Sequence, residues 1–224
     1  MKRHAMQEQI LGKKSDQLSK EQIHAFLDEF SSVHIDLGTG DGLFAWRLAK
    51  EAKDTAVIGI EAAKDSLREG SSRAIKKPSR GGAPNAMFLC DNVLEMDNTF
   101  EGKADTVSVN FPWGSLLQAV SIPFDDFVVK MASLIKAGGE LHQHINMHVF
   151  NDDEQRKSLG LPVLDDDYMK EKLIPIYEKA GLKFLEYFFI PAGQKTEVAS
   201  TWGGRLTRNS SRPTLVFKCK KVAL

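Results

Sequence analysis

The sequence predicts an α/β fold: a mostly parallel sheet of seven strands, helices on both faces, and an antiparallel hairpin at the C-terminal end. Three observations carry this expectation. Short apolar runs alternate with segments of helical period, the pattern of strands joined by right-handed helical crossovers. A glycine cluster, Gly38, Gly40 and Gly42, falls between the first apolar run and the first helix. Two late runs rich in aromatic and β-branched residues are separated by the 23 residues from Pro191 to Pro213, a hairpin with a long connection.

Taken in order, a small hairpin over 10–18 and a helix from the capping box Ser19-Lys20-Glu21-Gln22 to Phe30 make an N-terminal extension, residues 1–30. The core, residues 31–224, opens with a strand at 33–37 that ends at the glycines; Leu43, Phe44, Trp46, Leu48 and Ala49 then recur at helical spacing, with Trp46 expected in the core. A buried strand at 55–60, a helix over 64–76 stopped by Pro78, and a strand at 86–90 follow. Next come a strand at 105–110, a helix from Phe124 to Ile135 ending at Gly138-Gly139, and a strand at 140–145. A helix over 168–180 capped by Gly181 precedes the last two strands, 182–190 and 214–220. The whole chain reads as one domain, with 146–170 and 191–213 as insertions facing a substrate, since long loops in compact domains usually carry function.

Composition narrows the function. With 42% hydrophobic and 27% charged residues, this is neither a disordered nor a low-complexity chain. Cys90 and Cys219 are the only cysteines, too few for a disulfide framework or a zinc site, so a reduced cytoplasmic setting and no metal are expected. No stretch reaches the roughly 18 apolar residues of a membrane span, and the first residues lack the apolar core of an export signal. Thirty basic residues balance thirty acidic ones, yet the basic ones cluster. Arg68, Arg73, Lys76, Lys77 and Arg80 lead into Gly81-Gly82, and Lys195, Arg205, Arg208, Arg212, Lys218, Lys220 and Lys221 crowd the C-terminal part. Two such segments suit one polyanion.

The segment Asp36-Leu37-Gly38-Thr39-Gly40-Asp41-Gly42 lies where a doubly wound sheet binds its cofactor. Glycines there admit close backbone approach and leave amides at a helix N-terminus for a ligand. A dinucleotide fingerprint requires a glycine where Leu43 stands, and Asp41 repels a diphosphate. A methionine moiety fits better: amides for its carboxylate, Asp36 for its ammonium. Glu61, 19 residues beyond Gly42 at the end of the second core strand, is placed to accept both ribose hydroxyls, with Ala62 beside it. Asp91 and Asn92 follow the third strand, towards adenine, and Asn110 ends the fourth. The cofactor expected is S-adenosyl-L-methionine.

The fourth strand runs into Phe111-Pro112-Trp113-Gly114, where residues meet the methyl acceptor. Phe111 and Trp113 offer faces for a nucleobase, and Pro112 removes a donor while leaving carbonyls to accept from an exocyclic amine. Trp113 packed in the core after a proline turn is an equal reading of that segment taken alone. Ser200 and Trp202, in the long basic loop, favour the base: a second tryptophan face there suits a clamp on a flipped base.

With these residues in view, the sequence resembles the aminoglycoside-resistance 16S ribosomal RNA methyltransferases that modify N1 of adenine 1408. The likeness is carried by His34-Ile35-Asp36-Leu37-Gly38-Thr39-Gly40-Asp41-Gly42, Lys76-Lys77-Pro78-Ser79-Arg80-Gly81-Gly82, Phe111-Pro112-Trp113-Gly114, Gly160-Leu161-Pro162, and the spacing of Ser200, Trp202 and Arg205. It implies a Rossmann-like class I methyltransferase that acts, as a monomer, on the 30S ribosomal subunit. It further implies that Trp113 and Trp202 sandwich the adenine beside Ser200, and that Arg73, Lys76, Lys77, Arg80, Arg205, Arg208 and Arg212 meet rRNA phosphates. The chain departs from the family at Ser71-Ser72, which stand where the family's basic run is denser, and at Asn209-Ser210-Ser211, where the family's late arginine cluster is thinned.

The N1 of neutral adenine has a lone pair and no proton, so attack on a sulfonium methyl needs no general base and positioning dominates. His142, His144 and His148 are then structural or solvent-facing. A tRNA guanine-N7 methyltransferase also ends its fourth strand near a Pro-Trp pair, but with an acid where Phe111 stands. An RNA-binding or dinucleotide-binding protein without methyl transfer explains less: neither accounts for both Glu61 and Leu43.

Overall fold

A computed structural model of the chain describes residues 6–122, 124–191 and 213–223. They belong to two compact units, residues 1–108 and 109–224.

In the first unit the strand order is β2-β1-β5-β4-β3-β6. Strands β3 (Ser32–Leu37), β4 (Thr55–Glu61) and β5 (Ala86–Cys90) are the apolar runs expected as parallel core strands, and they are parallel. Register pairs Leu37 with Ile60 and Glu61 with Cys90, so the three chains leave the sheet at one edge. Helices α2 (Leu43–Glu51) and α3 (Arg68–Ala74) cover this part of the sheet, Ala45, Ala49, Leu67 and Ala74 packing with Val57, Phe88 and Ile10. Helix α1 (Lys20–Leu27) opens on the expected capping box, Gln22 N–H donating to Ser19 Oγ and Ser19 N–H to Gln22 Oε1.

Two expectations change here. The hairpin begins at Gln7 and joins the sheet, β1 (Gln7–Leu11) pairing with β2 (Lys14–Leu18) and antiparallel with β5, so the sheet is mixed and exceeds seven strands. The helix expected over 64–76 is confined to α3. At its start Lys64 turns to Glu8 and Ser15 of the hairpin (2.5 and 3.4 Å). At its end Pro78 has no N–H for the Ala74 carbonyl, which accepts from Ala83 instead (2.9 Å).

The second unit has the strand order β6-β7-β9-β8, with β6 (Ala104–Asn110) beginning in the first unit. Strands β8 (Leu182–Ile190) and β9 (Thr214–Lys221) form the expected antiparallel hairpin, and β9 also pairs antiparallel with β7 (Ile135–Asn146). Helix α5 (Asp125–Leu134) passes straight into β7, so Gly138 and Gly139 lie within that strand and do not end the helix. Helices α4 (Gly114–Ser121), α6 (His148–Asn151) and α7 (Asp153–Ser158) are additions to the expected set. The helix expected over 168–180 is three pieces: α8 (Asp166–Tyr168), a π turn (Met169–Leu173) and α9 (Ile174–Lys179). Pro175 accounts for the break, because it removes the backbone donor of the regular ladder. Tyr177 anchors this unit's core, its ring edge-on to Phe217 (5.0 Å between centroids) and its hydroxyl accepting from Gln143 Nε2 (2.9 Å). No helix among the described residues is long and apolar enough to cross a membrane.

Candidate active site

Within the first unit, the chain ends above β3, β4 and β5 bring together the loop 36–42, Glu61, Ala62, Asp91 and Asn92. The loop holds itself by its own amides. Gly38 and Thr39 N–H both donate to the Ile60 carbonyl (2.9 and 3.0 Å), Gly42 N–H to Thr39 O (3.1 Å), and Leu43 N–H to Asp41 Oδ1 (3.0 Å). Gly40 N–H donates to Glu61 Oε2 (3.1 Å), while Ala63 N–H donates to Glu61 Oε1 (3.0 Å). The amides of Gly38, Thr39, Gly40, Gly42 and Leu43 are thus engaged by the protein itself, through tight turns and Glu61.

Gly42 has φ +70°, and a Cβ there would lie 2.5 Å from Phe88 Cε1, so the loop crosses β5 where no side chain fits. Thr39 is buried against Gly59. Asp36 is only 1% exposed; the Ser108 hydroxyl donates to its Oδ1 (2.6 Å), which makes His34 Nε2 the donor to Ser108 Oγ (2.8 Å). Its carboxyl group thus sits beneath the loop, hydrogen-bonded to Ser108, and not on open surface.

Ala62 is exposed, and its carbonyl accepts from the Cys90 thiol (3.6 Å). Asp91 N–H donates to Glu61 O (3.2 Å), and Gln7 Nε2 of the hairpin donates to Asp91 Oδ2 (3.4 Å). Asn92 is half-buried and caps the next turn through Leu94 N–H (3.1 Å). Asp36, Asp41, Glu61 and Asp91 make this set rich in carboxyl acceptors, with the amides of Gly38, Thr39, Gly40, Gly42, Leu43, Ala63 and Asp91 engaged within the protein. That chemistry fits a ligand bearing cationic sulfur, ammonium and ribose hydroxyls, and it gives a diphosphate no cradle. S-adenosyl-L-methionine meets the fit. Gln7 and Ser108 support this set and carry no motif by which their spacing alone would reveal them.

In the second unit, Asn110 Oδ1 accepts from His144 Nδ1 (2.9 Å), and Phe111 N–H donates to the His144 carbonyl (2.7 Å). Phe111 has φ +52°, the one non-glycine residue with positive φ among those described. Pro112 is buried, whereas Trp113 is 68% exposed, the most exposed large apolar side chain among the described residues. Trp113 is thus no core residue. His144 is buried, and that burial, followed by the charges of His142 and Lys218, pushes its pKa down to about 4. It is the satisfied histidine expected. Ser200, Trp202, Arg205, Arg208 and Arg212 lie outside the described residues.

The first basic segment also has a built geometry. Lys76, Lys77 and Arg80 are exposed, and Arg73 is half-exposed and paired with Glu69 (2.8 Å). Gly82 is required by the turn, since a Cβ there would fall 1.7 Å from the Lys76 carbonyl oxygen. Trp46, expected in the core, is half-buried: one side packs on the core cluster, Nε1–H donates to the Gly81 carbonyl (2.9 Å), and Lys50 and Arg73 approach its ring at 4.8 and 5.0 Å. No group of three or more metal-ligating side chains occurs among the described residues.

Comparison with known proteins gives this geometry a family. The family described as NpmA, 16S rRNA (adenine(1408)-N(1))-methyltransferase, matches residues 8–221. A 16S rRNA (adenine(1408)-N(1))-methyltransferase of Escherichia coli is 31% identical over 204 residues, 91% of this chain and 93% of that protein. The crystal structure of the aminoglycoside resistance methyltransferase NpmB1 superposes with a TM-score of 0.84 at 35% identity, covering 97% of this chain and 100% of the other. That of the antibiotic-resistance methyltransferase Kmr gives 0.78 at 34% identity, covering 96% and 100%. An acceptor-rich glycine loop, a fixed carboxylate at the end of β4, and an exposed tryptophan after β6 are thus features of a chain that belongs to the 16S rRNA (adenine(1408)-N(1))-methyltransferase family.

Proposed function

We propose that this chain methylates N1 of adenine 1408 in the 16S rRNA of the assembled 30S subunit, the reaction for which its family is named, and that it thereby confers aminoglycoside resistance. It works as a single cytoplasmic methyltransferase domain and as a monomer. When bound, S-adenosyl-L-methionine supplies an electrophilic methyl group on a sulfonium. Glu61 accepts from the ribose hydroxyls on lone pairs that the two amides leave, Asp91, Asn92 and Ala62 border the adenine, and Gly38–Gly42, with Asp36, Asp41 and Asn110, hold the methionine end. Trp113 and Trp202 stack on the target base with Ser200 beside it, and the carbonyls of Phe111 and Pro112 accept from its exocyclic amine. N1 attacks without a general base, because its lone pair carries no proton. Arg73, Lys76, Lys77, Arg80, Arg205, Arg208 and Arg212 bind rRNA phosphates.

The observation that carries this reading is the exposure of Trp113 on a segment whose backbone is held in an unfavourable conformation, an arrangement without benefit to the core. Incubating the protein with tritiated S-adenosyl-L-methionine and 30S subunits tests it. Label should enter 16S rRNA, with a reverse-transcription stop at adenine 1408, since methylation at N1 blocks the pairing edge. Label in tRNA, or none in the 30S subunit, refutes it.

A further inference from the structure

Resting on the reading of residues 110–113 as the acceptor segment, we propose that His144 is a positioning residue for methyl transfer, fixing both the Asn110 amide and the Phe111 backbone from the neighbouring strand.

Two atoms of one residue grip two consecutive residues of that segment. The His144 carbonyl accepts from Phe111 N–H (2.7 Å), and its ring Nδ1 meets Asn110 Oδ1 (2.9 Å). An amide oxygen only accepts, so Nδ1 carries the hydrogen, and in the neutral ring Nε2 keeps a lone pair. Burial and the charges of His142 and Lys218 hold the ring neutral through the physiological range. One tautomer therefore sets which edge of the Asn110 amide faces β7. Immediately downstream the chain enters the left-handed region at Phe111, φ +52°, which a bulky residue keeps only where neighbouring bonds over-determine it. The His144 carbonyl bond is one of those, and the ring approaches Phe111 at 6.3 Å between centroids. The turn that results delivers Trp113 to the surface. With no proton to remove from adenine N1, the imidazole has no use as a base; it serves geometry.

The test compares His144→Leu, which removes the ring donor, with His144→Asn, whose amide nitrogen can take the place of Nδ1. Single-turnover methylation of 30S subunits at saturating S-adenosyl-L-methionine should slow about tenfold or more in the Leu variant, with affinity for 30S within about twofold of wild type. The Asn variant should recover to within about threefold of wild type. A folded Leu variant at wild-type rate, or an Asn variant as slow as Leu, overturns the proposal. Should the Leu variant not fold, nitrogen-15 NMR of the wild-type histidines decides: a neutral Nδ1–H tautomer from about pH 6 to 8 supports it, and an Nε2–H tautomer overturns it. Wild-type protein that leaves 30S RNA unmethylated overturns the acceptor reading itself, a result distinct from either variant's failure.

Discussion

The Gly40 amide donates to Glu61 Oε2 at 3.1 Å, tying the turn after β3 to the last residue of β4. A second amide, Ala63 N–H, holds the other carboxylate oxygen, so the group reaches a ligand already oriented. Glu61→Ala should weaken S-adenosyl-L-methionine binding by roughly 1.5–3 kcal/mol, the range for hydrogen bonds to a charged group. Glu61→Gln should also bind weakly, because its NH2 would face an amide donor. Calorimetry on folded variants checks both, and unchanged affinity removes Glu61 from the site.

Trp46 couples helix α2 to the turn that carries the exposed lysines. Trp46→Phe keeps a ring for Lys50 and Arg73 but loses the donor to the Gly81 carbonyl, and should cost about 1–3 kcal/mol of stability for the carbonyl left unpaired. Its affinity for 30S should fall without a change in salt slope, since no charge is removed. Lys76→Glu and Lys77→Glu should instead flatten that slope and leave cofactor affinity intact. Salt titrations of 30S binding separate the two behaviours; an unchanged slope in both lysine variants refutes the docking role.

Trp113→Ala should lose on the order of 1–3 kcal/mol of transition-state stabilisation, or ~5–150-fold in single-turnover rate, while Trp113→Phe keeps most of it because a π-face remains. The same comparison applies to Trp202. Binding of 30S should change much less, since phosphates supply most of the affinity. An Ala variant at wild-type rate means that the exposed ring stacks on nothing.

His144 makes stability depend on pH. Its folded pKa is lowered to about 4 from an ordinary 6.5, so between these values the unfolded chain binds a proton that the folded one does not. Its contribution is whole above about pH 6.5 and is lost as pH falls towards 4, up to about 3 kcal/mol. The neighbouring charges on this face are His142, bonded to Glu140 at 2.9 Å, and Lys218, paired with Glu186 at 2.9 Å. Denaturant midpoints at about pH 7 and 4.5 should differ more in wild type than in His144→Leu. Equal differences refute the assignment.

Features set by local period and by glycine spacing are legible in the sequence: β3, β4, β5, β8 and β9, the capping box at Ser19, and the placing of Glu61 at a strand end. Features decided by tertiary partners are not. Lys64 reads as the start of a helix and turns to Glu8, 56 positions away. Gln7–Leu11 offers only Ile10 and Leu11 as apolar signals, so its pairing with β5 escapes a local reading. Trp113 reads equally as core or surface because exposure depends on what the rest of the chain covers. The inward use of the loop amides depends on the Ile60 carbonyl and Glu61, neither of which glycine spacing reveals.

The hairpin at the start of the chain bears on biogenesis. Without it, β5 would be a sheet edge, and its sequence Ala86-Met87-Phe88-Leu89-Cys90 has no charge, no proline and strong β propensity, the makings of intermolecular strand pairing. β1 covers that edge and leaves β2 outermost, five residues carrying Lys14 and Asp16. Cys90 is synthesised 82 positions after its partner Glu8, so the guard strand is made before the segment it protects. Deleting residues 6–18 should therefore show first as aggregation of newly made protein, ahead of any effect on catalysis.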